Sequence, residues 1–190
     1  MKSFTFLPLA LLLALILTAV NGTPISREEA DIEFDCEYEP GATAARNLES
    51  RAKPGVTTFI KWLNTNKARV AEFPAIMFSG RSGKVHSQTG ARKLATEHKG
   101  KTIGDLTRMA KVDYKREKWD KEDFRQVCRV WSQNAAGTVY VSLGKTVPPG
   151  STYETVEKPA LQDNKEVKAI MESIIDEHGK LGDAKDAKKK

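Results

Sequence analysis

The 190 residues amount to an N-terminal targeting segment and one domain with enough apolar side chains to bury a core. The chain carries a net charge of +6, but its basic residues do not alternate with aromatic ones, which argues against a nucleic-acid-binding surface. Beyond the N-terminal segment, no stretch is apolar enough to span a membrane.

The first 22 residues have the three parts of a secretory signal peptide. Lys2 supplies the positive charge, residues 4–20 form the apolar segment, and small residues precede a cleavage point at Thr23. We therefore predict a secreted, extracellular protein with a signal peptide over 1–22, a single globular domain over 23–179 and a disordered Lys-rich tail over 180–190. An uncleaved membrane anchor is the alternative; after cleavage we expect no membrane contact.

The cysteine count predicts one disulfide. Cys36 and Cys128 are the two cysteines of the chain, and an even count in a secreted protein favours pairing. The bond would tie the N-terminal segment to a helix in the second half. Two separate thiols are the alternative.

The first half of the chain is predicted to be mainly helical. An extended arm over 23–39 leads to a short helix over 42–53, which Pro54-Gly55 ends. Apolar spacing then predicts a helix over 57–73, which Asn64-Thr65-Asn66 can divide, and a strand over 75–78 followed by a polar loop over 79–83. Two helices follow, over 91–98 and 102–109, the second of them capped by Thr102, and the segment over 111–123 is predicted to be a charged surface loop.

In the second half, apolar side chains from Phe124 to Ala135 fall on one helical face, and Asp120 or Asp123 can cap this helix. An alternating strand over 138–143, a Gly/Pro loop and a second short strand over 153–157 follow. A stripe at helical spacing predicts a last helix, formed by Val167, Ile170, Met171, Ile174 and Ile175.

Among residues that can carry chemistry, Glu157 has the most suitable surroundings. None of the histidines (His86, His98 and His178) has a zinc-ligand partner at useful spacing, so we expect no metal. Tyr153, Val156 and Pro159 give Glu157 a partly apolar environment, which suits an acid that stabilises a developing cation. An exposed strand glutamate is the alternative.

A second candidate is the loop over 79–83, which follows a strand and contains Arg81. Backbone N–H groups and a guanidinium suit a pyrophosphate group. A simple turn is the alternative.

The segment STYETVEKPAL, residues 151–161, resembles the C-terminal active-site segment of the ADP-ribosyl cyclase family, which includes animal NAD glycohydrolases. Glu157 is in register with the catalytic glutamate of that family. Three further segments resemble the family in the same order along the chain: residues 77–80, 102–105 and 128–144. Together these similarities extend over residues 76–167, under half the chain.

The resemblance implies an α/β (α+β) fold, with a helical N-terminal half and a small, mainly parallel sheet in the C-terminal half. It also implies cleavage of the nicotinamide–ribosyl bond of NAD, which is a substrate, so that no cofactor is needed. Glu157 would hold the ribose hydroxyls and favour an oxocarbenium-like transition state.

The resemblance also assigns roles to the residues around Glu157. Ser79 and Thr152 would contact phosphate, with Arg81 as a charge partner. Phe78, Phe124 and Tyr153 would line the nicotinamide-ribose pocket. Asp105 would be the remaining acid of the Thr-Leu-Glu-Asp motif, because Gly104 replaces its glutamate.

Three functions remain open. The first is a secreted NAD glycohydrolase or ADP-ribosyl cyclase-like enzyme whose partner is NAD or a related dinucleotide. The second is a non-catalytic, effector-like binding protein on the same scaffold, suggested by phenylalanines at positions 78 and 124 where better-known members have tryptophan. The third is a ribonuclease-like toxin using Glu157, Arg81 and His86. The sequence does not decide the oligomeric state or the choice between hydrolysis and cyclisation.

Overall fold

The structure is a computed structural model that describes residues 53–188. This part of the chain is a mixed α/β unit with a small, mainly parallel sheet, which confirms the predicted class. The helices are α1 (Pro54–Thr65), α2 (Lys67–Ala71), α3 (Gln88–Glu97), α4 (Ile103–Met109), α5 (Lys121–Asn134), a π-helix (Tyr153–Glu157) and α6 (Lys158–Asp163). The strands are β1 (Ile76–Ser79), β2 (Arg81–Ser82), β3 (Val85–His86), β4 (Gly137–Leu143), β5 (Val167–Ile174) and β6 (Lys185–Asp186).

The main sheet has the strand order β1-β4-β5-β6. The first three strands are parallel, and β6 runs antiparallel at the edge. Strands β2 and β3 form a separate antiparallel pair. Because β1 comes from the first half of the chain, the predicted separation into a helical half and a sheet half is only approximate.

The N-terminal predictions lie outside the described residues. These are the signal peptide, the arm over 23–39, most of the helix over 42–53, and Cys36. Between residues 53 and 188, none of the helices combines the length and apolar character needed to cross a bilayer. Pro54 begins α1, since a proline at the first helical position leaves no hydrogen bond unmade.

The sheet has side chains packed on both faces. Met77 and Val141 point to the main core, where α1 and α5 contribute Phe59 and Trp131 among others. On the opposite face α3 packs on Ile76. Among the apolar residues of these elements, Ile60, Trp62 and Phe73 are partly exposed, whereas the following are buried: Phe59, Leu63, Val70, Ile76, Met77, Val127, Trp131, Val139 and Val141.

Helix ends that depend on local hydrogen bonds match the predictions. Thr102 and Asp105 form a reciprocal capping box at the start of α4, and Asp120 and Asp123 form another at the start of α5. The division of the helix over 57–73 occurs at Asn66, as predicted.

The predicted last helix is wrong, because residues 167–174 form strand β5 in the centre of the sheet. The apolar spacing looked helical because a bulge near the start of β5 shifts the alternation by one residue. Three β-branched residues within β5 favour a strand once β4 offers its hydrogen bonds: Val167, Ile170 and Ile174.

The predicted second strand over 153–157 is also wrong, because these residues form the π-helix. Ser151 starts this turn: its carbonyl accepts from the Thr155 N–H at 3.0 Å and its hydroxyl oxygen accepts from the Glu154 N–H at 3.3 Å. These local bonds compete with strand pairing and fix the helical geometry.

Other predicted loops contain more structure than their composition indicated. Arg81 and Ser82 form β2 within the loop over 79–83. In the charged segment over 111–123, Trp119 is only 3% exposed and packs near Phe59. The charged segment is therefore held to the core by the buried side chain of Trp119.

The tail is not disordered over residues 180–188. Strand β6 pairs with β5, and the Lys188 ammonium donates to the carbonyls of Leu161, Gln162 and Asn164. A sequence with little to bury is held here by hydrogen bonds to a sheet edge and to the C-terminal end of α6, where a cation is favourable.

Two glycines allow a test of the close approach between the segments that follow β1 and β4. A Cβ on Gly144 would lie 2.1 Å from the Arg81 nitrogen, whereas a Cβ on Gly104 would have nothing nearer than 3.8 Å. We expect Gly144→Ala to lower the free energy of unfolding by about 2 kcal/mol or more, since backbone must move. Gly104→Ala, the matched control in α4, should be neutral or stabilising by up to about 1 kcal/mol. Urea unfolding measures both; equal effects would contradict the close approach.

Candidate functional site

Glu157 is the last residue of the π-helix and is buried, with 6% of its surface exposed. The π-helix packs against α5, α6 and β1. Its carboxyl group accepts a hydrogen bond from Cys128, which lies on the buried face of α5. The predicted alternative, an exposed strand glutamate, is therefore wrong.

Burial raises the pKa of Glu157 from its ordinary value of 4.5 to about 7, and the Cys128 hydrogen bond lowers it in part. Desolvation disfavours the charged carboxylate, while a donor stabilises it. The group therefore changes charge near neutral pH. A buried acid with this property is a candidate for catalysis, because a catalytic group is most effective when its pKa is close to the working pH.

The segments that follow β1 and β4 meet at the carboxyl edge of the parallel strands. Arg81 and Thr146 exchange two backbone hydrogen bonds of 2.9 Å. Gly80 has a φ of +81°, and a Cβ there would lie 2.2 Å from the Thr146 carbonyl oxygen, so glycine is required for the contact. In open parallel sheets this edge is where ligands bind.

Four of the predicted site residues belong to this region. Ser79 is the last residue of β1, and its carbonyl accepts from the Gly144 N–H at 2.8 Å. Arg81 follows it, Thr152 directly precedes the π-helix, and Glu157 ends that helix, which contacts β1. Of these residues, Ser79 and Glu157 belong to two elements that contact each other, β1 and the π-helix.

Three other predicted site residues have packing or capping partners elsewhere. Phe78 lies on the sheet face opposite Met77, edge-on to His86 with ring centroids 5.8 Å apart. Phe124 packs its ring against Tyr114 and Trp119 at 5.5 Å each.

The third of these residues, Asp105, caps α4 through its bonds with Thr102, and it also accepts from Arg108. Burial raises the pKa of Asp105, but the hydrogen bonds from Thr102 and Arg108 outweigh it and hold the pKa below the ordinary value. Asp105 is therefore a stable anion that holds the first turn of a helix.

Tyr153 is part of the support of the π-helix. The residue is 1% exposed, and its hydroxyl donates to Glu172 Oε1 at 2.5 Å. Burial and the neighbouring carboxylates, Glu172 first, raise its pKa, so the hydroxyl keeps its proton. Its ring packs inside the main core, where it offers little face to a substrate.

Sequence reasoning missed Glu172 and Arg125. Glu172 lies within the stripe predicted as a helix, and a lone acid inside a strongly apolar strand is the signal that could have identified it. Arg125 Nη2 donates to Thr155 Oγ1 at 2.9 Å and to the Gly150 carbonyl at 3.4 Å, which ties α5 to the loop before the π-helix.

Metal binding is not indicated by the described part of the chain. No three His, Cys, Asp or Glu side chains within residues 53–188 are close enough together to hold an ion. His86 accepts the Gln88 N–H at 3.1 Å, and His98 stacks on Tyr140 with centroids 3.7 Å apart.

The chain matches no protein-family model, no curated protein and no solved structure.

The buried carboxyl group predicts a pH-dependent difference in stability between the protein and Glu157→Gln. Below pH 4.5 the acid is protonated in both the folded and the unfolded chain, so it adds no cost. As the pH rises from about 4.5 to about 7, the unfolded chain releases this proton while the buried carboxyl group of the folded chain keeps it, so the free energy of unfolding falls by about 3 kcal/mol. Glutamine removes this fall.

Urea unfolding at pH 4, 6 and 8 measures the effect. We expect the free energy of unfolding of Glu157→Gln to exceed that of the wild type by an amount that grows across this range and levels off above about pH 7. If the free energy of unfolding changed with pH in the same way for the two proteins, the result would show that Glu157 is solvated.

Proposed function

We propose that this protein is a secreted enzyme that cleaves the nicotinamide–ribosyl bond of NAD, with Glu157 as its catalytic residue. The observation that carries the proposal is the buried Glu157 carboxyl group, with a pKa of about 7, at the end of a π-helix that contacts β1. The similarity of residues 151–161 to the ADP-ribosyl cyclase family supports the same assignment.

The chemistry required of Glu157 is electrostatic. When the C–N bond to nicotinamide breaks, its electron pair neutralises the pyridinium ring and leaves positive charge on the ribose. A carboxylate in a poorly hydrated site stabilises that charge more strongly than one in water would. The same oxygens can accept hydrogen bonds from the ribose hydroxyls. Water, or a nucleophilic atom of the substrate, then captures the ribosyl carbon and releases a proton.

The proposed place of the pyrophosphate is the segment after β1. Ser79, Arg81 and Thr152 would supply two hydroxyl groups and a guanidinium, which suit phosphate oxygens. The rigid contact between Arg81 and Thr146 would hold these groups in place before substrate arrives.

The Cys36–Cys128 disulfide stays a prediction. Cys128 is the one cysteine among the described residues, and its sulfur lies beside Glu157. A disulfide at Cys128 would remove the thiol hydrogen, and with it the hydrogen bond that the Glu157 carboxyl group accepts.

A non-catalytic, effector-like binding protein is the second candidate. The packing of Phe78 and Phe124 against their own neighbours favours it, since both were predicted to line the pocket. Binding of NAD without turnover would support this function. The ribonuclease-like alternative is less favoured, because the backbone of Gln88 and the ring of Phe78 already contact His86.

The enzyme proposal predicts nicotinamide release by the purified mature protein. Glu157→Gln should lower kcat by about 100-fold or more, since it removes the negative charge that stabilises the transition state. Glu154→Gln is the matched control, because Glu154 lies on the same π-helix but is exposed. It should retain activity. Chromatography of nicotinamide, ADP-ribose and cyclic ADP-ribose measures the rate and the product together.

No turnover by the wild-type protein would reject the enzyme proposal, as would equal activity of Glu157→Gln. Degradation of RNA under the same conditions would favour the ribonuclease function instead.

The pKa of Glu157 also predicts a pH profile. Because the carboxylate is the active form, kcat/KM should rise with pH up to about 7 and then level, falling about tenfold per unit below that value. Glu154→Gln should show the same profile. A profile that is flat between pH 5 and 8 would contradict the role of Glu157.

A further inference from the structure

One carboxylate oxygen joins both ends of the π-helix. The Lys158 N–H donates to the Tyr153 carbonyl, which closes the wide turn. The side chains of the same two residues also converge: Tyr153 Oη lies 2.5 Å and Lys158 Nζ 3.0 Å from Glu172 Oε1. Glu172 is on β5, so these two contacts tie the ends of the turn to the sheet.

The contacts of Glu172 with Tyr153 and Lys158 are strong enough to stabilise the turn. Both involve a charged group, and such bonds are about twice as strong as neutral ones. The Glu172 side chain is only 17% exposed, and that of Lys158 only 26%. The Lys158 ammonium also lies 5.7 Å from the centre of the Tyr153 ring, which brings the two ends of the turn together a third time.

A π-turn needs such support, because its geometry is less favourable than that of an α-turn and it holds one more residue. Conversion to an α-turn would rotate the residues on its two sides relative to each other by about 100°. Glu157 lies between Tyr153 and Lys158, so its carboxyl group would lose its direction towards Cys128.

We propose that Glu172 is a positioning residue for Glu157. Its charged oxygen holds Tyr153 and Lys158 together, keeps the turn wide and thereby keeps the Glu157 carboxyl buried and aligned. Glu172 acts through these two side chains and does not touch the substrate. The kinetic part of this inference rests on the proposed function, whereas the part concerning the orientation of Glu157 does not.

The experiment compares Glu172→Leu, Glu172→Gln and Glu166→Gln. Leucine removes both contacts. Glutamine keeps an acceptor for Tyr153 but loses the ionic partner of Lys158. Glu166 is exposed on the segment before β5, so Glu166→Gln is the matched control. The readouts are the pKa of Glu157 by carbon NMR of labelled carboxyl groups, and kcat and KM for NAD.

In Glu172→Leu we expect the Glu157 pKa to fall by about one unit or more, since a loosened turn admits water to the carboxyl group. We expect kcat to fall about tenfold with KM changed less than about twofold, because alignment is lost and not binding. Glu172→Gln should show intermediate values, and Glu166→Gln should match the wild type.

A purely structural role would lower the urea midpoint of Glu172→Leu but leave the pKa of Glu157 in the folded protein unchanged, and that result would overturn the inference. If Glu172→Leu does not fold, the same two readouts on Glu172→Gln decide. If the wild-type protein does not turn over NAD, the proposed function fails while the NMR titration still tests the positioning of Glu157.

Discussion

The burial of one carboxyl group is the constraint on which the rest of the site depends. A carboxylate in apolar surroundings is stable only if neighbouring donors and a rigid frame compensate for the water it has lost. Here the Cys128 hydrogen bond supplies a donor, and α5, α6 and β1 enclose the π-helix. Arg125 on α5 and Glu172 on β5 bind that helix from two sides. Both contacts hold a group that the protein would be more stable without.

The sequence predicted the parts of this arrangement that depend on local interactions. The capping residues Thr102 and Asp120 act on N–H groups two or three residues away, so their effect can be read from the chain. The alternation in β4 and the apolar face of α5 are likewise set by the period of a single element. Glu157 was found in the same way, because its apolar neighbours are close in sequence.

What the sequence did not predict depends on partners far along the chain. Residues 167–174 fit a helix by spacing, and only the hydrogen bonds of β4 make them a strand. The π-helix needs Glu172, which is distant in sequence from Tyr153, so a strand was the better local interpretation of its β-branched residues. Phe78 and Phe124 were assigned from the resemblance alone, and the packing around His86 and Trp119 gives them other partners.

Lys188 has a consequence for how sequences of this kind can diverge. Its ammonium satisfies three carbonyls at the end of α6, the short helix that begins directly after Glu157. One cation thereby links two segments that are far apart in the chain. A substitution in either segment would change the stability of the other. Among homologues that keep an acid at position 157, the residue at position 188 should therefore covary with the C-terminal end of α6. Any loss of the lysine should be matched by another cap for that helix.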